Sequence, residues 1–145
     1  AYVTEMSRDD VAQIYHLLAL LESDAAGDVA EQASEAELAQ LQQLHDRLEK
    51  LARQRDAFFA ANEAFHMALL QIAGNRWRSQ IVADLRKMMK LNRHHSLLKQ
   101  GRLADSLAEH RALMAALTSR QRSQATVRML DHFRSGLEAA AGDPV

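Results

Sequence analysis

Three observations on the 145-residue chain predict an all-α fold, an antiparallel bundle of six to seven helices. Proline occurs once, at Pro144, and glycine only five times, so little interrupts a helix. Alanine, leucine, glutamine, glutamate and arginine dominate while β-branched residues are sparse, which favours helices over strands. Apolar residues recur at three- and four-residue steps, the spacing of one helical face. A chain of this length can bury its own core, so residues 1–145 are read as a single domain.

Ser7, with Asp10 three residues on, opens a helix to about Ser23 whose face is Val11, Ile14, Leu17, Leu18 and Leu21. Gly27 weakens the following segment, so a separate short helix is expected over 25–33. "SEAE" at 34–37 is a capping box that opens a helix carrying Leu38, Leu41, Leu44, Leu48 and Leu51. Asp56 is expected to cap the next helix, with Phe58, Phe59, Phe65, Leu69, Leu70 and Ile72, which stops at Gly74-Asn75. A fifth helix is expected from Trp77 to Leu98, with Ile81, Leu85, Met88, Met89 and Leu91 on its face and Trp77 in packing. Two more follow over about 104–118 and 122–141, joined by the polar "TSRQRS".

Composition excludes several functions. Without cysteine there is neither a disulfide framework nor a thiolate ligand or nucleophile, which fits a reducing cytoplasm. No apolar run approaches the roughly 20 residues of a membrane span, and no signal-peptide pattern is present. The net charge of −1 gives no general attraction to nucleic acid. The charge is divided, however: residues 1–56 carry a net of −7 and residues 76–102 a net of +7. Such a division serves anion binding, attraction between segments, or a solvated face. No GxSxG, Gly-rich phosphate loop or HExxH occurs. Glu63 and His66 form one ExxH, but Leu107 and Met129 stand three residues before His110 and His132, so the second ExxH of a di-iron bundle is missing.

The seven histidines carry the functional argument. His110 falls inside the stripe Leu103, Leu107, Met114 and Leu117. His132 lies between Met129 and Phe133, with the small residues Ala125 and Gly136 on the same side. His66 shares a face with Phe59, Asn62, Leu69 and Ala73. A single core histidine is usually satisfied by a hydrogen bond, but three on three helices are harder to satisfy separately, since an unpaired buried imidazole costs about 1–3 kcal/mol. One divalent metal would satisfy all three. Asn62, one turn before His66, could add an oxygen. Three imidazoles and one neutral oxygen suit zinc or nickel, leave the site at +2, and so attract an anion. His16 and His45 read as surface or interface residues, and of His94 and His95 at most one can face a pocket.

The segments "NEAFHMALLQIAGN", "GRLADSLAEHRALMAAL" and "ATVRMLDHF" together resemble the C-terminal effector-binding FCD domain of GntR-type transcription regulators of the FadR subgroup. The resemblance implies an all-helical ligand-binding and dimerisation domain that binds a divalent metal and a small organic acid effector and forms a homodimer. It also implies a winged helix-turn-helix domain ahead of this one, which alone contacts DNA; a chain that opens on alanine agrees with that expectation. By motif match the metal ligands are Asn62, His66, His110 and His132. Asn62 stands where many relatives have aspartate, and Leu18 where many have an arginine, so the effector's anchor is sought among Arg86, Arg93 and His95. Two alternatives stand beside this reading. One is an enzyme whose three-His centre activates water, for which Glu109, expected to face outward, is the nearest base. The other is a metal-free oligomerisation bundle.

Overall fold

The computed structural model describes residues 6–90, 92 and 97–141. Among these residues the fold is an all-α bundle of α1 (Arg8–Gln32), α2 (Glu35–Lys50), α3 (Arg55–Ala73), α4 (Arg76–Met88), α5 (Arg102–Thr118) and α6 (Arg122–Ala141), with no strand. Helix α1 packs most extensively along α6, α5 lies against α6, and α3 bridges α1 and α2. Leu18, Leu41, Leu48, Phe58, Phe65, Leu69, Leu113 and Met129 are fully buried where these faces meet. Burying each such side chain contributes roughly 1.5–3 kcal/mol.

The caps follow the sequence at two helices. The Ser7 side chain accepts from the Asp10 N–H, and Ser34 with Glu37 completes a reciprocal capping box. At α3 the expectation is corrected: Gln54 occupies the N-cap without a side-chain bond, and Asp56 sits in the first turn, where its charge still favours the helix N-terminus. Gly74 ends α3 at φ 89°, the left-handed conformation that glycine adopts without strain.

Three further corrections bear on the site. The segment up to Ser23 and the one over 25–33 are one helix, because Gly27 is used for close packing rather than as a break. A Cβ there would come within 3.0 Å of the Arg122 side chain from α6. Helix α4 stops at Met88, with Met89 as its C-cap, and Leu91 lies outside the described residues. Leu17, Ile81 and Met88 are exposed, as is Trp77, which stands at the open start of α4 with the Arg76 guanidinium 4.9 Å from its ring centre.

Candidate metal centre

His66 from α3, His110 from α5 and His132 from α6 are brought together in the core. Their ring centres are 5.2 Å (His66–His110), 5.3 Å (His66–His132) and 4.8 Å (His110–His132) apart. One ring nitrogen from each lies within 4.8 Å of the others, an arrangement that could hold a metal ion. Asn62, one turn before His66, is also buried, and it lines a cavity together with His132.

Hydrogen bonding divides these four residues into two kinds. His66 Nδ1 meets Glu22 Oε1 at 2.6 Å and His132 Nδ1 meets Glu109 Oε1 at 2.6 Å. A carboxylate can only accept, so both Nδ1 atoms carry the proton and Nε2 presents its lone pair. That is the tautomer in which a carboxylate orients a metal-ligating imidazole. His110 is different: both of its ring nitrogens are buried without a hydrogen-bond partner among the described residues, and so is Asn62 Oδ1. Burial first, then the neighbouring His132 and His66, holds the His110 pKa far below its ordinary value, so the ring is neutral at physiological pH. A buried amide oxygen and a neutral imidazole beside two oriented imidazoles form a donor set that fits a borderline divalent ion.

Behind each oriented histidine stands an arginine. Glu22 is fully buried and accepts from Arg86 Nη1 at 2.5 Å, while Arg86 Nε and Nη2 grip Glu63 at 2.8 and 2.9 Å. Burial works against the Arg86 cation, but the charges of Glu22 and Glu63 outweigh it and raise its pKa above the ordinary value. On the other side Arg102 donates from Nη1 and Nη2 to Glu109 at 3.0 Å each, and from Nη1 to Ser135 Oγ at 2.9 Å. Burial alone would push the Glu109 carboxyl up, but the bonds from His132 and Arg102 bring it down to about 2.

Beside the centre lies a small, partly open cavity of about 20 Å³, room for about one water molecule. Its lining mixes Tyr15, Phe59, Leu97, Phe133 and Gly136 with the polar Asn62, Arg102, Ser106 and His132.

Of the residues singled out from sequence, Asn62, His66, His110 and His132 are thus buried in one region of the core. Arg86 is buried and engaged by Glu22 and Glu63, whereas Arg93 and His95 lie outside the described residues. Leu18 is fully buried in the core, and His16 is exposed as expected. Two readings are corrected. Glu109 does not face outward: it turns toward α6 and joins His132 to Arg102. His45 is not at the surface but buried, bonded to Glu49 at 2.9 Å and stacked 6.4 Å from His110. The sequence reading missed Glu22 and Arg102. A signal existed for Glu22, an acid four residues after Leu18 on the apolar face of α1.

An all-α bundle with a buried cluster of metal-competent side chains on facing helices has the architecture in which bundles build metal and ligand sites. The FCD domain family matches residues 13–135, a span that contains every site residue just described except the cavity residue Gly136, and the chain belongs to that family. FCD domains are effector-binding regulatory domains of transcription factors. No curated protein matches the chain.

Proposed function

We propose that this is the effector-sensing and dimerisation domain of a GntR-type regulator of the FadR subgroup. Its centre, formed by Asn62, His66, His110 and His132, would hold a divalent ion such as zinc or nickel and recognise a small organic acid. The observation that carries this reading is the pair of buried polar groups without a hydrogen-bond partner among the described residues, Asn62 Oδ1 and the His110 ring, beside two imidazoles already oriented by carboxylates. Such groups are costly in a core that has no use for them. When bound, the ion would supply a positive charge and an open coordination position for a carboxylate. Glu22 and Glu109 would keep the imidazoles in the ligating tautomer, and Arg86 and Arg102 hold those carboxylates in place by hydrogen bonds.

The effector's influence on DNA is assigned to the pairing of two such domains and to a separate winged helix-turn-helix domain, which alone would contact the operator in the cytoplasm. A ligand can shift that pairing only if it binds one arrangement better than the other.

Two observations favour regulation over hydrolysis. The carboxylates next to the histidines are each committed to both a histidine and an arginine. Glu109, with its pKa near 2, is far from the near-neutral value that suits a general base.

Metal analysis of the purified protein before and after chelation tests the reading. Bound metal in the parent, its loss in His110→Ala and its retention in His45→Ala are expected. A protein that carries no metal, and whose melting temperature does not move on adding zinc or nickel, would overturn it.

A further inference from the structure

Helix α2 buries one stripe, Leu38, Leu41, His45 and Leu48, at steps of three and four residues. His45 therefore holds a slot in which leucine would serve the core. Its Nε2 lies 2.9 Å from Glu49 Oε2, and Arg111 from α5 donates to both Glu49 oxygens, from Nε at 2.7 Å and from Nη2 at 2.6 Å. A carboxylate gripped in this way can only accept, so His45 Nε2 carries the proton and Nδ1 keeps its lone pair. That Nδ1 is buried and has no hydrogen-bond partner among the described residues.

His110 has the complementary need. An imidazole that gives one nitrogen to an ion carries its proton on the other, and a buried N–H is disfavoured until it finds an acceptor. Both His110 nitrogens are buried without a partner among the described residues. Asn62 Oδ1 shares that condition, but it is assigned to the ion. His45 Nδ1 is the buried acceptor left over. The His45 and His110 rings stand nearly parallel, 16° apart in plane, with centres separated by 6.4 Å. No bond joins them as they stand, and a turn of either ring or one bridging water would make it.

We infer that His45 is the positioning residue of His110: its Nδ1 accepts the His110 N–H, directly or through one water, when the opposite nitrogen of that ring holds the ion. The inference rests on the metal reading above and supplies its missing support. His66 is backed by Glu22 and Arg86, and His132 by Glu109 and Arg102. Arg111, Glu49 and His45 give His110 a backing of the same kind, with one imidazole inserted between carboxylate and ligand. Both nitrogens of His45 are then committed and it offers the ion no donor atom. Replacing it leaves the metal bound, only more weakly.

Two measurements on the zinc-loaded protein test this: zinc affinity by competition with a chelator, and heteronuclear NMR of the His110 ring. In the parent, His110 should show one ring N–H in slow exchange with solvent. In His45→Phe, which keeps the bulk of the ring and removes the acceptor, that signal should be lost and zinc should bind about ten-fold more weakly, the usual effect of removing a group that orients a ligand. In His45→Asn, whose amide oxygen restores an acceptor, zinc should bind within about three-fold of the parent. Zinc binding in His45→Phe as tight as in the parent overturns the inference. So does His45→Asn binding as weakly as His45→Phe, which would assign the effect to packing. A zinc-loaded parent with no protected His110 N–H overturns it without any variant having to fold. A parent that binds no zinc overturns the metal reading itself.

Discussion

His110 differs from its two neighbours in having no hydrogen-bond partner at either ring nitrogen among the described residues, while it packs edge-on against Phe65 with ring centres 4.8 Å apart. A buried polar group left in this way costs about 1–3 kcal/mol, and an apolar residue of similar shape removes that cost. Without metal, His110→Leu is therefore expected to be more stable than the parent, by roughly 1–3 kcal/mol in denaturant melts. With saturating zinc the order should reverse, because the parent gains a ligand and the variant cannot. A leucine variant that is less stable than the metal-free parent would mean that His110 is satisfied in some other way. The three histidines could be found from sequence because each occupies an apolar slot in a helical stripe, and that register survives in the fold. Glu109 could not: its neighbour His110 points into the core, and the direction of the next side chain depends on where α6 lies. Glu22 bonds to a histidine 44 residues away, and no local pattern supplies that distance.

Helix α1 is held to the rest of the bundle by charge as well as by its apolar face. Arg78 from α4 reaches Asp24 at 2.6 Å and Asp28 at 2.9 Å, and Arg122 from α6 reaches Asp28 at 2.9 Å and also engages Glu31. Through Arg78, and through Arg86 on Glu22, the acidic first third and the basic middle of the chain attract one another, one of the three uses that the charge division allowed; Arg122 adds a cation from outside that stretch. The same contacts explain why Gly27 sits in a continuous helix: the Arg122 side chain crosses over it. Propensity alone registers only the cost of that glycine, so the helix looked divided. Burial alone would raise the Asp28 carboxyl, but bonds from Arg122 and Arg78 hold it below its ordinary value of 3.8. The unfolded chain therefore binds a proton at higher pH than the folded one, and this stabilisation is present above the ordinary value and lost as pH falls through the lowered one. Asp28→Asn is expected to be about 1 kcal/mol less stable near neutrality, as suits a partly exposed cluster. It should also lose less stability than the parent on acidification from about pH 5 to pH 3. Urea melts across that range measure both, and equal slopes for the two proteins would exclude the assignment.

At the scale of the molecule, the candidate centre joins nearly every element. Glu22 comes from α1, Asn62 and His66 from α3, Arg86 from α4, His110, Glu109 and Arg102 from α5, and His132 and Ser135 from α6. Fold class and helix order were legible because patterning and capping act within a helix. Which helices share a buried ionic network was not, because that is decided by packing between them. Filling the centre should consequently stabilise the bundle as a unit. At a hundred-fold excess of zinc over its dissociation constant the gain is about 2.7 kcal/mol, or roughly 5–10 °C in melting temperature for a domain of this size. The distribution of that gain is the more demanding measurement. Amide hydrogen exchange should slow on zinc binding in α3, α5 and α6, which carry the ligands, and equally in α1 around Glu22, which reaches the ion only through His66. Helix α2 supplies no ligand and none of the carboxylates that orient one, so the exposed start of that helix should change least. Protection confined to the three ligand-bearing helices would show that the Glu22–Arg86 network is a local support for His66. Protection that extends along α1 would show that occupancy of the centre is transmitted to the helix most extensively packed against α6, and through it to the bundle as a whole.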